Sequence, residues 1–216
     1  LNAKVFLKKK NTSMQKIAKD VYHISLMPRN SINCYIIEDV LVDSGIRSSY
    51  KKITQHIKNV PVNSHAITHA HADHQGCSKE ICNEFNIPLL CHKKEVQRAE
   101  SGHVTKDYPS STNIIARLQQ KYWAGNGHKV SRTLKENDAL GDFTVIETPG
   151  HSAGHISFFR EKDGVLIIGD VATNMNLLTT IKGLHLPPDI FTSEKQENIN
   201  SLFKLKSLHP QIIYGR

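Results

Sequence analysis

The sequence predicts an α/β layered domain, and three observations carry that expectation. Strand-like and helix-like segments alternate as far as Cys91, the pattern of a layered α/β chain. A second run of strands starts near Thr133, after a less regular stretch. The 216 residues, 38% hydrophobic and 22% charged, match a soluble globular protein that can bury a core without disulfides.

Each element has its own signal. Residues 21–26 alternate apolar and polar, as a strand with one buried face does. Residues 33–37 and 40–42 are β-rich, and Glu38-Asp39 between them suits a tight hairpin. Asp43-Ser44-Gly45 ends that hairpin, and Ile46, Tyr50, Ile53 and Ile57 then recur at helical spacing, predicting a helix over 46–58. Residues 65–68 read as a short buried strand, followed by polar residues and a helix through Cys77, Ile81 and Phe85. Residues 87–91 form the next strand. From His92 to Gly127 the regularity weakens. Gly102, Pro109 and the Gly125-Asn126-Gly127 turn bracket a helix over 112–123, so 92–128 is expected to be a lid-like insertion over one end of the sheet. Strands resume at 133–135, 143–147, 155–160 and 165–168, the last two joined by a two-residue turn at Asp163-Gly164. Residues 193–207 are amphipathic with Thr192 or Ser193 as N-cap, and 211–214 close the set. Residues 14–216 are expected to make a single domain, with 1–13 an extension ahead of it.

No apolar run is long enough to cross a bilayer, and the lysine-rich opening does not form a signal peptide. Cys34, Cys77, Cys82 and Cys91 lack paired C-x-x-C spacing and are expected as reduced, buried thiols of a cytoplasmic protein. The formal charge is +8 and uneven: from His92 to Lys135 nine Lys/Arg face three Asp/Glu, a net +6. Such a stretch steers an anionic substrate or simply solvates a helical surface, and the charge run alone fits either.

The chemistry concentrates in three segments that follow strands. In Thr68-His69-Ala70-His71-Ala72-Asp73-His74, extended backbone would turn both His69 and His71 to one side. Two imidazoles suit Zn²⁺, and a carboxylate with a further imidazole would hold a second ion. Small Ala70 and Ala72 leave room between the ligands. Thr148-Pro149-Gly150-His151-Ser152-Ala153-Gly154-His155 is rich in small residues, so backbone can approach a metal closely. Ile167-Ile168-Gly169-Asp170 puts a carboxylate directly after a buried strand. A histidine-rich surface loop and a turn-capping Asp are the plainer readings of single segments. Four potential ligands in six residues at a strand's end argue against the first.

The order H-x-H-x-D-H, then P-G-H-S-x-G-H, then G-D resembles the metallo-β-lactamase superfamily of hydrolases, from about Val21 onward, with Asp43 matching its early Asp motif. The resemblance implies a four-layer αββα sandwich with two metal ions at its top. By position it implies His69, His71 and His151 on the first ion, Asp73 and His74 on the second, and Asp170 bridging both. Asp43 and His155 would orient those ligands. Members with two metals usually add a histidine in a Gly-His-Gly turn after the closing strand, whereas this chain stops at Ile212-Ile213-Tyr214-Gly215-Arg216. His209 precedes that strand and is not assigned the role. A truncated chain is the expected reason, with a histidine a few residues downstream; without it the second ion would bind weakly or be absent. Two zinc ions are the expected cofactors of a bacterial enzyme, with manganese or iron the other candidates.

The resemblance also implies a mechanism: water ionised near pH ~7 attacks a small ester, thioester or lactone, with Asp73 orienting it and shuttling a proton. Quorum-sensing lactonases commonly carry Tyr three residues past the bridging Asp, where this chain has Thr173. Glyoxalase II enzymes continue G-D-T-L-F, and here Val171-Ala172-Thr173-Asn174 follow Asp170. True β-lactamases commonly lack the bridging Asp. What remains resembles generic bacterial hydrolases, matched at Asn176, Pro188, Phe191, Thr192, Ser201, Leu202 and Leu205. Two rival functions stand beside this. A mononuclear iron persulfide dioxygenase would use His69, His151 and Asp170. A nuclease or phosphodiesterase would use the basic stretch, where Tyr108, Tyr122 and Trp123 could stack bases. The chain is short for the extra domain of RNA-cleaving members, so a small molecule, anionic in one variant of the reading, is the expected partner, rather than nucleic acid or membrane.

Overall fold

The computed structural model describes residues 14–106, 108–176, 179 and 181–215; the extension expected at 1–13 lies outside the described residues. The first half forms a seven-stranded sheet whose spatial order follows the chain: β1 (Met14–Ala18), β2 (Val21–Ser25), β3 (Asn33–Ile37), β4 (Val40–Val42), β5 (Ser64–Ala66), β6 (Leu89–His92) and β7 (Val130–Leu134). The first four strands pair antiparallel, and β4 to β7 run parallel. Parallel neighbours need crossovers, supplied by α1 (Tyr50–Ile57), by α2 (Ser78–Phe85) and by the segment holding α3 (Val96–Ser101) and α4 (Ile114–Tyr122). The second half contributes β8 (Ala139–Leu140), β9 (Phe143–Glu147), β10 (Ile156–Arg160) and β11 (Val165–Ile167), then a separate hairpin of β12 (Thr173–Met175) and β13 (Lys182–His185). Finally α5 (Lys195–Ser207) leads into β14 (Ile212–Tyr214), which pairs parallel with β11 at the edge of a five-stranded sheet.

Three apolar layers separate four structural ones. In β3, Cys34 and Ile36 face α1 and α2 and pack with Ile53, Ile57 and Ile81. The alternate residues Tyr35 and Ile37 face the other sheet and meet Phe143, Val145, Phe158 and Val165. On the far side of that second sheet, Ile146, Phe159 and Leu166 pack against Leu205 of α5. The result is the αββα sandwich. All four cysteines are buried and free, and burial pushes their thiols up, so they pack as small apolar side chains. Among the described residues no helix is long and apolar enough to cross a membrane.

Several local expectations change. The β10–β11 connection pairs Arg160 with Val165, so the turn takes four residues, a 3₁₀ turn with Gly164 left-handed at φ 67°, rather than two. The last helix starts at Lys195 with Glu194 at the N-cap position and no side-chain cap bond, so neither Thr192 nor Ser193 caps it. Thr192 is instead turned toward His151 (Oγ1 to Nδ1, 3.3 Å). Strands β1, β8, β12 and β13 and helix α3 add to the expected set; most are short, and β8 has only two residues.

Candidate metal centre

The topology puts the three motif segments at one end of the sandwich. β4 and β5 run parallel, so Asp43 and the segment 68–74 leave the first sheet at the same end. β9 and β11 each pair antiparallel with β10, so they share a direction and deliver 148–155 and 168–170 together. Across the seam, the Ile156 amide donates to the Thr68 carbonyl (2.9 Å), joining a motif segment of each sheet.

All the expected ligands are brought together there and buried: His69 0%, His71 2%, Asp73 3%, His74 5%, His151 1% and Asp170 1% exposed. Their donor atoms form two groups, His69–His71–His151 and His69–His74–Asp170, each with its atoms within 4.8 Å of one another. Asp170 reaches toward both, Oδ1 lying 3.3 Å from His74 Nε2 and Oδ2 3.6 Å from His151 Nε2. His71 Nδ1 is 3.0 Å from His151 Nε2. Asp73 joins neither group and stands beside them, its Oδ2 4.0 Å from His74 Nε2.

Neighbouring groups fix these side chains. Asp43, in a left-handed conformation at φ 61°, contacts His74 Nδ1 (2.8 Å) and accepts from the Thr68 amide (2.7 Å) and hydroxyl. His155 Nε2 accepts from the Asp170 amide (3.0 Å), and its Nδ1 is 2.8 Å from Thr148 Oγ1. Gly150 sits at φ 129°, and a Cβ there would come within 2.1 Å of the Asn198 amide nitrogen, so the turn carrying His151 requires glycine. The motifs did not reveal Tyr108, whose ring meets His71 edge-on (centroids 4.6 Å) and then Phe191 (5.3 Å). Nor did they reveal the buried pair Glu95–Arg98. In the sequence its one trace was a Glu three residues before an Arg, inside a basic run.

Burial, reinforced by neighbouring imidazoles, holds His69, His71 and His155 well below the ordinary histidine range, so they are neutral, as ligation by His69 and His71 requires. His74 goes the other way: burial opposes its charge, but Asp170, Asp43 and Asp73 outweigh burial and lift it well above. A divalent metal fits this site. Nε2 of His69 and of His71 is buried with no hydrogen-bond partner among the described residues, and imidazole with carboxylate is the donor set of zinc, iron and manganese.

Comparison with known proteins agrees with this geometry. The model of the metallo-β-lactamase superfamily matches residues 27–215. The chain belongs to that superfamily. It is similar to a probable metallo-hydrolase, YflN, of Bacillus subtilis (strain 168), 28% identical over 198 residues, spanning 81% of this chain and 73% of that one. A hydroxyacylglutathione hydrolase of Bdellovibrio bacteriovorus is 26% identical over 151 residues, which cover 68% of this chain and 45% of the relative. In fold it is similar to TTHA1623 in a di-iron-bound form, with a TM-score of 0.67, 23% identity and 89% of each chain covered. As a member of this superfamily, with metallo-hydrolases among its relatives, the protein is a metal-dependent hydrolase.

Proposed function

We propose that the protein hydrolyses a small thioester or ester, using two divalent ions, zinc in the first instance, held by His69, His71 and His151 and by His74 and Asp170. The convergence of two buried donor groups on His69 carries this reading. The relative named as a hydroxyacylglutathione hydrolase favours a thioester over a lactone, and Thr173 three residues past Asp170 also tells against a lactone. Two buried donor groups favour a dinuclear site over the single iron of a persulfide dioxygenase.

Bound ions would supply a water of lowered pKa and a positive pole for the substrate's carbonyl oxygen. The chain's own groups do the rest. Asp73, buried with its Oδ2 4.0 Å from His74 Nε2, orients the attacking water, takes its proton at the carboxylate and returns it to the leaving thiolate or alkoxide. Tyr108, on the lid-like segment 92–128, forms with Phe191 an aromatic wall next to His71 that keeps bulk water from one side. His69 contacts Thr68 Oγ1 through Nδ1 (3.1 Å), which leaves one ring nitrogen, so it serves one ion at a time. The second ion therefore has the thinner donor set and the weaker affinity.

Elemental analysis and zinc titration of the wild type, with turnover of acyl thioesters, lactones and phosphodiesters, test the reading. Two binding steps, one tight and one weak, are expected, with thioester turnover fastest and the tight step lost in His69→Ala. A variant that loses the metal yet keeps its turnover would end the proposal.

A further inference from the structure

We infer that Glu95 is a positioning residue that clamps together the two loops carrying the tri-histidine ligands, with Arg98 holding the clamp. Glu95 is fully buried and Arg98 3% exposed, at the junction of β6 and α3, outside every motif named above. The carboxylate gives one oxygen to each loop. Oε2 accepts the amide of Ala70 (2.8 Å), the residue between His69 and His71. Oε1 accepts the amide of Gly154 (2.8 Å) and the hydroxyl of Ser152, which flank the His151 turn. Arg98 Nη2 bonds Oε2 and also donates to Ser152 Oγ (2.7 Å), closing the ring. Gly154 makes the approach possible: a Cβ there would lie 2.7 Å from Glu95 Oε1.

The two loops come from different sheets, so nothing in either sheet's ladder sets the distance from His69 and His71 to His151. Beside the Ile156–Thr68 backbone bond at the seam, a charge-assisted bond network across the gap holds it. His74 and Asp170, the ligands proposed for the second ion, are held by other contacts, Asp43 on His74 and His155 on the Asp170 amide. Loss of the clamp should therefore weaken the tri-histidine site and spare the other. This rests on the proposed assignment of His69, His71 and His151 to a metal.

Glu95→Gln is the test. An amide has only one oxygen, so it can accept from one loop and turns N–H donors toward the other. Zinc affinity is read by competition with a chromophoric chelator on purified protein, with Co²⁺ absorption as a second report on ligand geometry. The tight step should weaken about 10- to 100-fold, the range for groups that orient metal ligands, while the weak step keeps its affinity and the Co²⁺ spectrum changes. Ser152→Ala, which removes a hydroxyl without stranding a charge, should weaken the tight step several-fold and stands in if Glu95→Gln does not fold. Unchanged tight binding in the folded variant, or equal loss at both steps, would overturn the clamp. A wild type that binds no zinc at these histidines would instead sink the proposed function, so the two failures are distinguishable.

Discussion

His65 supplies a stability measurement whose size follows from its surroundings. It lies fully buried on β5, four residues before the metal motif, with Nδ1 3.0 Å from the Leu41 carbonyl and Nε2 2.8 Å from Ser78 Oγ. The carbonyl can only accept, so Nδ1 carries the proton and Ser78 donates to Nε2. Burial lowers the imidazole from 6.5 to about 4, against a smaller opposing pull from the Leu41 carbonyl and Asp43. The folded state thus resists a proton that the unfolded chain takes up below pH 6.5. The stabilisation from this group is complete above that pH and is lost progressively as the pH falls toward 4. The interval between those values, at ~1.36 kcal/mol per pH unit, is worth about 3 kcal/mol, of which about 2 is gone by pH 5. Urea unfolding at a series of pH values, with EDTA present so that metal binding does not enter, measures it. His65→Asn keeps a donor toward Leu41 and cannot titrate. It should be less stable at pH 7, and the gap from wild type should narrow by about 2 kcal/mol between pH 7 and pH 5. Parallel pH profiles would refute the reasoning.

Two further outcomes follow from the same structure. Gly150→Ala forces a Cβ onto the backbone of Asn198 at a φ of 129°; strain and overpacking together should cost about 2 to 5 kcal/mol in apo-protein unfolding. An unchanged unfolding midpoint would show that the turn relaxes freely. Stripping the metal with a chelator should lower the melting temperature, and zinc at a hundred times the dissociation constant of the tight step should restore about 2.7 kcal/mol; at that zinc concentration His69→Ala should lose the gain.

Much of the fold and most of the ligand set could be read from the sequence because they rest on local signals. Period-2 alternation marked β2, β-rich composition marked β3, and helical spacing at Ile46, Tyr50, Ile53 and Ile57 marked α1. The ligands cluster in short stretches, so His69, His71 and His74 announced themselves. What stayed hidden depends on contacts between distant segments. Glu95 reads as one charge in a basic run, and its burial arises only when Ala70 and Gly154 arrive from two sheets. Tyr108 joined Tyr122 and Trp123 as a candidate for base stacking. The fold separates them: Tyr108 is buried against His71, whereas Tyr122 is 58% exposed on α4. Thr192 carried a helix-capping signal, yet its hydroxyl lies 3.3 Å from His151 Nδ1, and α5 starts three residues later.

Charge balance explains why the site needs a cation at all. Asp43, Asp73 and Asp170 bring three carboxylates into a region where each of them is no more than 3% exposed. Buried carboxylates demand positive partners. His69, His71 and His155 cannot provide it, because burial and mutual repulsion keep them neutral. Arg98 is committed to Glu95. His74 is drawn to take a proton, and it faces all three carboxylates, at 2.8 Å from Asp43, 3.3 Å from Asp170 and 4.0 Å from Asp73. Three buried carboxylates gathered around such an imidazole make a pocket that favours a divalent cation. To hold an ion through Nε2, His74 would have to give up that proton while Nδ1 keeps its contact with Asp43. Binding at the His74 site would therefore release a proton, so zinc titration at a series of pH values should show affinity there rising with pH more steeply than at the tri-histidine site.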